Sequence, residues 1–332
     1  MRKTKFNFQP NSTFLVTGGA GFIGSHICEK LLNLGYKVRC LDDFSTGKQE
    51  NISSFLENPN FELIRGSICD FDTCLKACYN IDYISHQAAW GSVPKSINQP
   101  LAYEENNIKG TLNMLEAAVR NNVKVFVYAS SSSVYGDNTD KIKHENNVGN
   151  VLSPYALTKK TCEEYAKIYT NLYGLATIGL RYFNVFGPRQ NADGLYSAVI
   201  PNFIKNLLLN KPSLIYGDGL QSRDFTFVEN VVFANLKGLE CQNQEVFGKV
   251  YNVACNQKTQ IKDLYFQIAK YLQKDIPPIY KHKRKGDILN SQADVNLACQ
   301  CINYKVLYTI EQALPITIDW YLNNLNFTEN EN

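Results

Sequence analysis

Seven residues near the start, Gly18-Gly19-Ala20-Gly21-Phe22-Ile23-Gly24, constrain what this chain can fold into more than any others. Ahead of them runs Phe14-Leu15-Val16-Thr17, a short apolar stretch of strand type. After them Ile27, Leu31, Leu32 and Leu34 carry a helical period through residues 25–34. A strand, a glycine turn and a helix aim backbone N–H groups and the positive helix end at a pyrophosphate. Gly18, Gly21 and Gly24 permit the tight turn and the close approach of a cofactor to the backbone. Residues 37–41 read as the next strand, and Asp42 stands at its end, eighteen positions beyond Gly24. A carboxylate there can accept hydrogen bonds from an adenosine ribose and would repel a 2′-phosphate, which favours NAD over NADP.

The same alternation continues. Residues 61–64, 81–85, 123–129 and 177–181 read as strands, with helical patterns at 108–121 and 162–173 between them. This predicts an α/β chain: a Rossmann-type doubly wound parallel sheet with a smaller α/β substrate-binding domain. After Gly187-Pro188 the pattern loosens, with Pro201, Pro212, Gly217, Gly219, Pro277-Pro278 and Gly286 punctuating shorter elements. Residues 250–253 read as a further strand returning to the main sheet. The expected division is therefore 1–186, plus about 229–254, for the dinucleotide-binding domain, with 187–228 and 255–332 covering the substrate.

Composition excludes several other classes. Lys plus Arg at 34 against Asp plus Glu at 31 leaves +3, too little to imply nucleic acid or an acidic membrane surface. No apolar run approaches membrane-spanning length, and the basic start is followed by Asn, Gln and Pro rather than a signal core. The ten cysteines are scattered, and neither Cys74 with Cys78 nor Cys299 with Cys301 has a zinc-site spacing. Reduced thiols in a cytoplasmic protein without a bound metal are expected.

A second constellation carries chemistry. Pro154 favours the first helical position, so Tyr155 falls in the opening turn of a helix, and Lys159 four residues on shares its face. A phenol with pKa near ~10 is a poor base at neutral pH. A neighbouring ammonium, a helix N-terminus and a positively charged nicotinamide would each favour the phenolate, so a lowered value is expected. The strand at 123–129 ends in Ser130-Ser131-Ser132-Ser133, which sets hydroxyls where ligands bind in open α/β sheets. Ser131 is the strongest candidate of the four.

These motifs, with Val134-Tyr135-Gly136 and Arg181-Tyr182-Phe183-Asn184-Val185-Phe186-Gly187, resemble the extended short-chain dehydrogenase/reductases that act on nucleotide sugars. The likeness spans residues 14–320 and is strongest to the UDP-sugar 4-epimerases, particularly the bacterial branch acting on UDP-N-acetylglucosamine or its uronic acid. The telling stretches are His86-Gln87-Ala88-Ala89-Trp90-Gly91-Ser92-Val93-Pro94 and Gly217-Asp218-Gly219 with Ser222-Arg223-Asp224-Phe225. The resemblance implies NAD held permanently, with Tyr155 taking the sugar 4-hydroxyl proton, Ser131 bridging and Lys159 holding the nicotinamide ribose. It further assigns Phe22, Ile23, Ser67, Ile68, Gln87, Ala88, Ala89, Asn107 and Tyr182 to the cofactor, Asn107 as a knitting residue. To the substrate it assigns Gly91, Ser92 and Ser132 at the sugar, and Asn184, Arg223 and Arg284 at the diphosphate. Tyr216 would lie against uracil and Asp287 would reach the nucleotide ribose, and Val199 is also assigned to the substrate. Ser291 falls where a bulky tyrosine limits some relatives to plain hexoses, so a small residue there implies an acetamido sugar.

The chain departs from the family at two places. Ser67 stands where relatives carry an aspartate, and Trp90 where a smaller apolar side chain is usual. A 4,6-dehydratase of the same fold would need Asp-Glu after Ser131, where Ser132-Ser133 stand; a keto-reductase would consume external cofactor. A non-catalytic NAD sensor would have no use for Ser131, Tyr155 and Lys159 together. The choice between UDP-N-acetylglucosamine and its uronic acid stays open. Relatives are homodimers joined through two helices from each partner, here 108–121 and 162–173, with Leu112, Leu115 and Val119 in excess of one buried stripe.

Overall fold

In the computed structural model, residues 5–192, 198–282 and 290–324 are described. Seven parallel strands make the main sheet. They are β1 (Thr13–Thr17), β2 (Lys37–Asp42), β3 (Phe61–Arg65), β4 (Tyr83–His86), β5 (Val125–Ser131), β6 (Ala176–Tyr182) and β7 (Lys249–Val253). Their order is β7-β6-β5-β4-β1-β2-β3, and every neighbouring pair is parallel. The order reverses direction between β1 and β4, which opens a crevice at the carboxyl ends of those strands. Helix α1 (Phe22–Asn33) follows β1, and α2 (Phe71–Cys78) follows β3. Between β4 and β5 lie α3 (Val93–Asn98), α4 (Pro100–Tyr103), a π-helical turn (Glu104–Lys109) and α5 (Gly110–Arg120). The long α6 (Pro154–Tyr173) then leads into β6.

The central strands are apolar almost throughout because both faces of the sheet are covered. One core gathers Ile27 and Leu31 of α1 with Val16, Val127, Val231 and Leu236. The opposite face packs Leu15, Ile84 and Phe126 against Cys74, Met114, Leu115 and Tyr169. A separate core joins α7 (Val199–Leu208), α9 (Ile261–Tyr271) and α11 (Ile310–Asn324) through Phe203, Ile204, Leu264, Tyr265 and Ile318. Helix α8 (Val228–Leu239) gives Val228 to this core and Val231 and Leu236 to the first, and α10 (Asn296–Ile302) packs Ala298 and Ile302 into the first. Short strand pairs tie this second region together: Ser222–Arg223 lies between Thr259–Gln260 and Asn290–Ser291, and Leu214–Tyr216 pairs with Ile279–Lys281.

Two sequence expectations need adjustment. The helix at 108–121 is regular only from Gly110, because the π-helical turn precedes it. Leu115 is fully buried in its own chain, with Leu112 and Val119 packed beside that core, so Leu115 does not supply an outward apolar surface. Exposed apolar side chains in this area include Ile97, Leu101, Leu157, Ile168 and Leu172. All ten cysteines are free thiols.

Candidate active site

The glycine turn is shaped by close packing. Gly18 has φ +65°, and a Cβ there would stand 2.8 Å from the backbone of Ala88, so the end of β4 presses directly on the turn. At Gly24 a Cβ would lie 2.1 Å from the Gly18 carbonyl oxygen. Both positions therefore exclude a side chain, and α1 begins with its N–H groups facing the crevice. Asp42 is buried at the end of β2, accepting from the N–H of Ala20 at 2.9 Å and of Phe44 at 2.8 Å. Burial pushes its carboxyl above the usual range, and those two N–H bonds oppose the rise. Each carboxylate oxygen keeps a further lone pair for a ribose hydroxyl.

Gly18, Gly21, Phe22, Ile23, Gly24 and Asp42 all line one cleft of about 910 Å³. The same cleft is walled by Ile68, Gln87, Ala88, Ala89, Gly91 and Ser92, and by Ser131, Ser132, Tyr155, Lys159 and Tyr182. Ser67 is not in that wall; Gly66 and Ile68 flank it there, and its hydroxyl accepts from the Cys69 N–H at 3.2 Å. Asn107 is buried behind the wall. Its side chain accepts from the Trp90 N–H at 2.8 Å and donates to the Trp90 carbonyl at 3.1 Å and the Thr158 hydroxyl at 3.0 Å. It thus clasps the loop after β4 to the helix that carries Tyr155.

Ser153 caps α6 by accepting from the Ala156 N–H at 3.1 Å, and Pro154 takes the first helical position. The Tyr155 N–H donates to Ser96 at 3.1 Å, which ties α3 to the same turn. The Ser131 side chain shares the cleft with the Tyr155 phenol, and Lys159 donates to the Ala129 carbonyl at 2.9 Å. Burial pushes the phenol above its ordinary value, with Ser131 opposing. Burial likewise holds the Lys159 ammonium below its usual value, with Cys162 and Glu163 opposing. The expected lowering of the phenol is therefore not produced by the protein's own groups, because desolvation of the anion outweighs what surrounds it. A positive charge brought by a ligand would oppose that rise.

Several supporting residues escaped the sequence reading. Arg181, 2% exposed, forms a two-point pair with Glu163 at 2.8 Å and 2.8 Å, and Ser130 donates to the same carboxylate at 2.6 Å. This pair sits one helical turn beyond Lys159. The available signal was an acid at 163 on the face already occupied by 155 and 159. Gln87, Ser85, Asn235 and Tyr182 form a second network: Asn235 donates to the Tyr182 hydroxyl at 2.8 Å, which donates to Gln87 at 3.0 Å. Asn235 comes from α8, far away in sequence. His86 is buried between Thr17 at 2.7 Å and Thr111 at 3.0 Å; burial first, and then the charge of Lys159, lower its pKa to about 3.

On the far side, Asn184, Arg223 and Ser291 line the large cleft, and strand pairing sets Ser291 opposite Arg223. Asn184 has φ +33° and donates to the Asp224 carbonyl at 3.0 Å. A side cavity of about 310 Å³, also lined by Asn184 and Arg223, contains Val199, Tyr216, Ile215, Phe225 and Gln221. Tyr216 and Val199 therefore lie together, away from Tyr155. Arg284 and Asp287 fall outside the described residues.

A Rossmann sheet whose glycine turn, Asp42 and Ser-Tyr-Lys cluster share one cleft narrows the chain to few families. The chain matches the NAD dependent epimerase/dehydratase family over residues 14–254. It belongs to that family. Among the solved members, the UDP-N-acetylglucosamine 4-epimerase from Methanobrevibacter ruminantium M1, in complex with UDP-N-acetylmuramic acid, superposes with TM-score 0.88. It is 39% identical, covering 96% of this chain and 100% of that one. The UDP-glucuronic acid 4-epimerase from Bacillus cereus, in complex with UDP-glucuronic acid and NAD, gives TM-score 0.86 at 32% identity, over 94% and 99% of the two chains. A putative UDP-glucose 4-epimerase of Methanocaldococcus jannaschii is 36% identical over 93% of this chain and 98% of its own length. Within the family this chain stands with the UDP-sugar 4-epimerases. NAD is the cofactor of the family, and the Gly18–Ala88 contact, the open start of α1 and the buried Asp42 form a cradle that fits it.

Proposed function

We propose that the chain is a UDP-N-acetylhexosamine 4-epimerase, interconverting UDP-N-acetylglucosamine and UDP-N-acetylgalactosamine, or the corresponding uronic acids, for surface polysaccharide precursors. The observation that carries this reading is that Ser131, Tyr155 and, one turn on, Lys159 share one cleft with the glycine turn and Ser291. The chemistry that a bound NAD supplies there is reversible acceptance of the C4 hydride together with a positive charge beside the phenol. Tyr155 removes the proton from the sugar 4-hydroxyl and returns it to the same oxygen once the 4-keto sugar has turned its other face to the cofactor. Ser131 bridges the phenol and the sugar oxygen. Lys159, fixed through the Ala129 carbonyl, holds the nicotinamide ribose and favours the phenolate.

Gly91, Ser92 and Ser132 would meet the sugar, and the small Ser291 would leave space for its acetamido group. Arg223 and Asn184, at the junction of the two cavities, would hold the diphosphate, with Arg284 and Asp287 in supporting roles. Uracil would then enter the side cavity against Tyr216. The dinucleotide would occupy residues 1–186 and 229–254, and the remainder would cover the sugar nucleotide. Ser132 and Ser133 supply no carboxylate for loss of a 6-hydroxyl, which argues against a dehydratase. The protein would work in the cytoplasm as a homodimer, through a surface that includes Leu101, Leu157 and Leu172. Among the described residues no helix is long and apolar enough to cross a membrane.

The test is to incubate the purified protein with UDP-N-acetylglucosamine, and separately its uronic acid, without added NAD, and to follow the sugar by NMR. Conversion to the galacto isomer of either is the expected result. A 4-keto-6-deoxy signal, or no change in both sugars, would refute the proposal.

A further inference from the structure

Trp90 is the bulkiest side chain in the wall of the large cleft, and the chemistry above gives it no task. Its position is unusual. It leaves the loop after β4, and its indole N–H donates to the hydroxyl of Ser45, in the loop after β2, at 3.3 Å. In the sheet, β4 and β2 lie on either side of β1, whose carboxyl end carries the glycine turn. Strands two apart are separated by about 9.6 Å, so one side chain links loops that otherwise stand a dinucleotide's width apart.

The two ends of this link are held unequally. On the β4 side the Trp90 main chain is clasped by Asn107 at 2.8 and 3.1 Å. The indole there meets the Tyr103 ring edge-on at 5.7 Å, and the Lys95 ammonium stands 4.7 Å over it. On the β2 side there is one hydrogen bond to an exposed serine. A side chain rooted firmly on one bank and latched weakly on the other can open without disturbing its root.

We propose that Trp90 is a bolt across the cofactor groove, latched on Ser45, which keeps NAD in the protein between turnovers. A reaction that hands its hydride back each cycle gains nothing from cofactor exchange, and loss of the reduced form in mid-cycle would strand the keto sugar. Retention therefore serves the chemistry without touching the reacting atoms. The proposal rests on the NAD dependence of the family and not on which sugar is used.

The holoenzyme tests it directly. The chain has two tryptophans, so a Trp320→Phe background leaves Trp90 as the sole indole reporter. Trp320 packs against the distant α7–α9–α11 core. NAD release is timed by diluting loaded protein into an NAD-hydrolysing trap and counting the NAD that stays with the protein. Trp90→Ala is expected to release NAD about thirtyfold faster, since it removes the whole aromatic contact. Trp90→Phe and Ser45→Ala, which remove only the latch, should each release it about threefold faster, and the double variant no faster than either. Trp90 fluorescence should change when NAD leaves. Release from Trp90→Ala within about twofold of wild type, in protein with native circular dichroism, would overturn the bolt. Should Trp90→Ala not fold, wild-type release from Ser45→Ala would overturn it equally. Normal retention in a protein that epimerises neither sugar would sink the substrate reading and leave the bolt standing.

Discussion

The two halves of the cleft are built by different means. The cofactor half is mostly consecutive chain: β1, the glycine turn, α1 and β2 lie within residues 13–42 and act largely through backbone. The half proposed for the substrate is gathered from Asn184, Val199, Tyr216, Arg223 and Ser291, which sit on strands of two or three residues, on a helix start, or beside them. A backbone-built half tolerates almost no added atoms, because its shape is its function. A side-chain-built half can be retuned one residue at a time without unfolding the sheet. Specificity in such a protein should therefore drift where the elements are short.

The largest expected effect lies where the halves meet. Tyr155→Phe should lower kcat for UDP-N-acetylglucosamine by about 10³-fold, measured by NMR, because the proton then has no acceptor of comparable reach. A loss below about tenfold would break the view that both halves serve this one oxygen. Next is the retuning test. Ser291→Tyr should cut turnover of the acetamido sugar by about a hundredfold while UDP-glucose still reacts. Equal loss for both sugars would mean that the position supports the fold rather than selecting the substrate.

The backbone-built half should respond differently. Gly24→Ala places a methyl 2.1 Å from the Gly18 carbonyl oxygen and should cost about 2–3 kcal/mol, read as a fall in Tm with loss of retained NAD. Gly91→Ala meets nothing within 4 Å and should leave Tm within about 1 °C of wild type. Arg223→Ala should raise KM for the sugar nucleotide about tenfold with NAD stoichiometry at the wild-type value. A further test is in pH. Burial raises the Tyr155 phenol, and with the phenolate as the proposed base its fraction should grow as pH rises. The logarithm of kcat/KM should climb with a slope near +1 between about pH 6 and about pH 8. A flat profile would show that bound ligand has already carried the phenol well below neutrality.

What could be read in the sequence follows the same division. The strand, turn, helix and acid of the first unit are local, so their periods and glycines state the geometry outright. Pro154 and the serine cap likewise announce where α6 begins. The Arg181–Glu163 pair and the Asn235–Tyr182–Gln87 network were invisible because their members meet only after β5, β6 and α8 have packed. Leu115 was misjudged because an excess of apolar positions cannot tell a partner's surface from a chain's own second core layer. The burial that opposes the phenolate was not legible either, because charges are countable in a sequence whereas desolvation is not. Ser67 was placed by likeness alone, and its neighbours face the cleft instead.

The Asn107 clasp has one consequence for how such a protein can change over time. It grips the peptide groups of residue 90 and never its side chain, while its amide nitrogen also reaches Thr158, three residues after Tyr155. Residue 90 can thus be exchanged freely, bulky for small, with the loop still moored to the catalytic helix. How long the coenzyme lodges and how fast the proton moves become separately adjustable traits, open to selection one at a time.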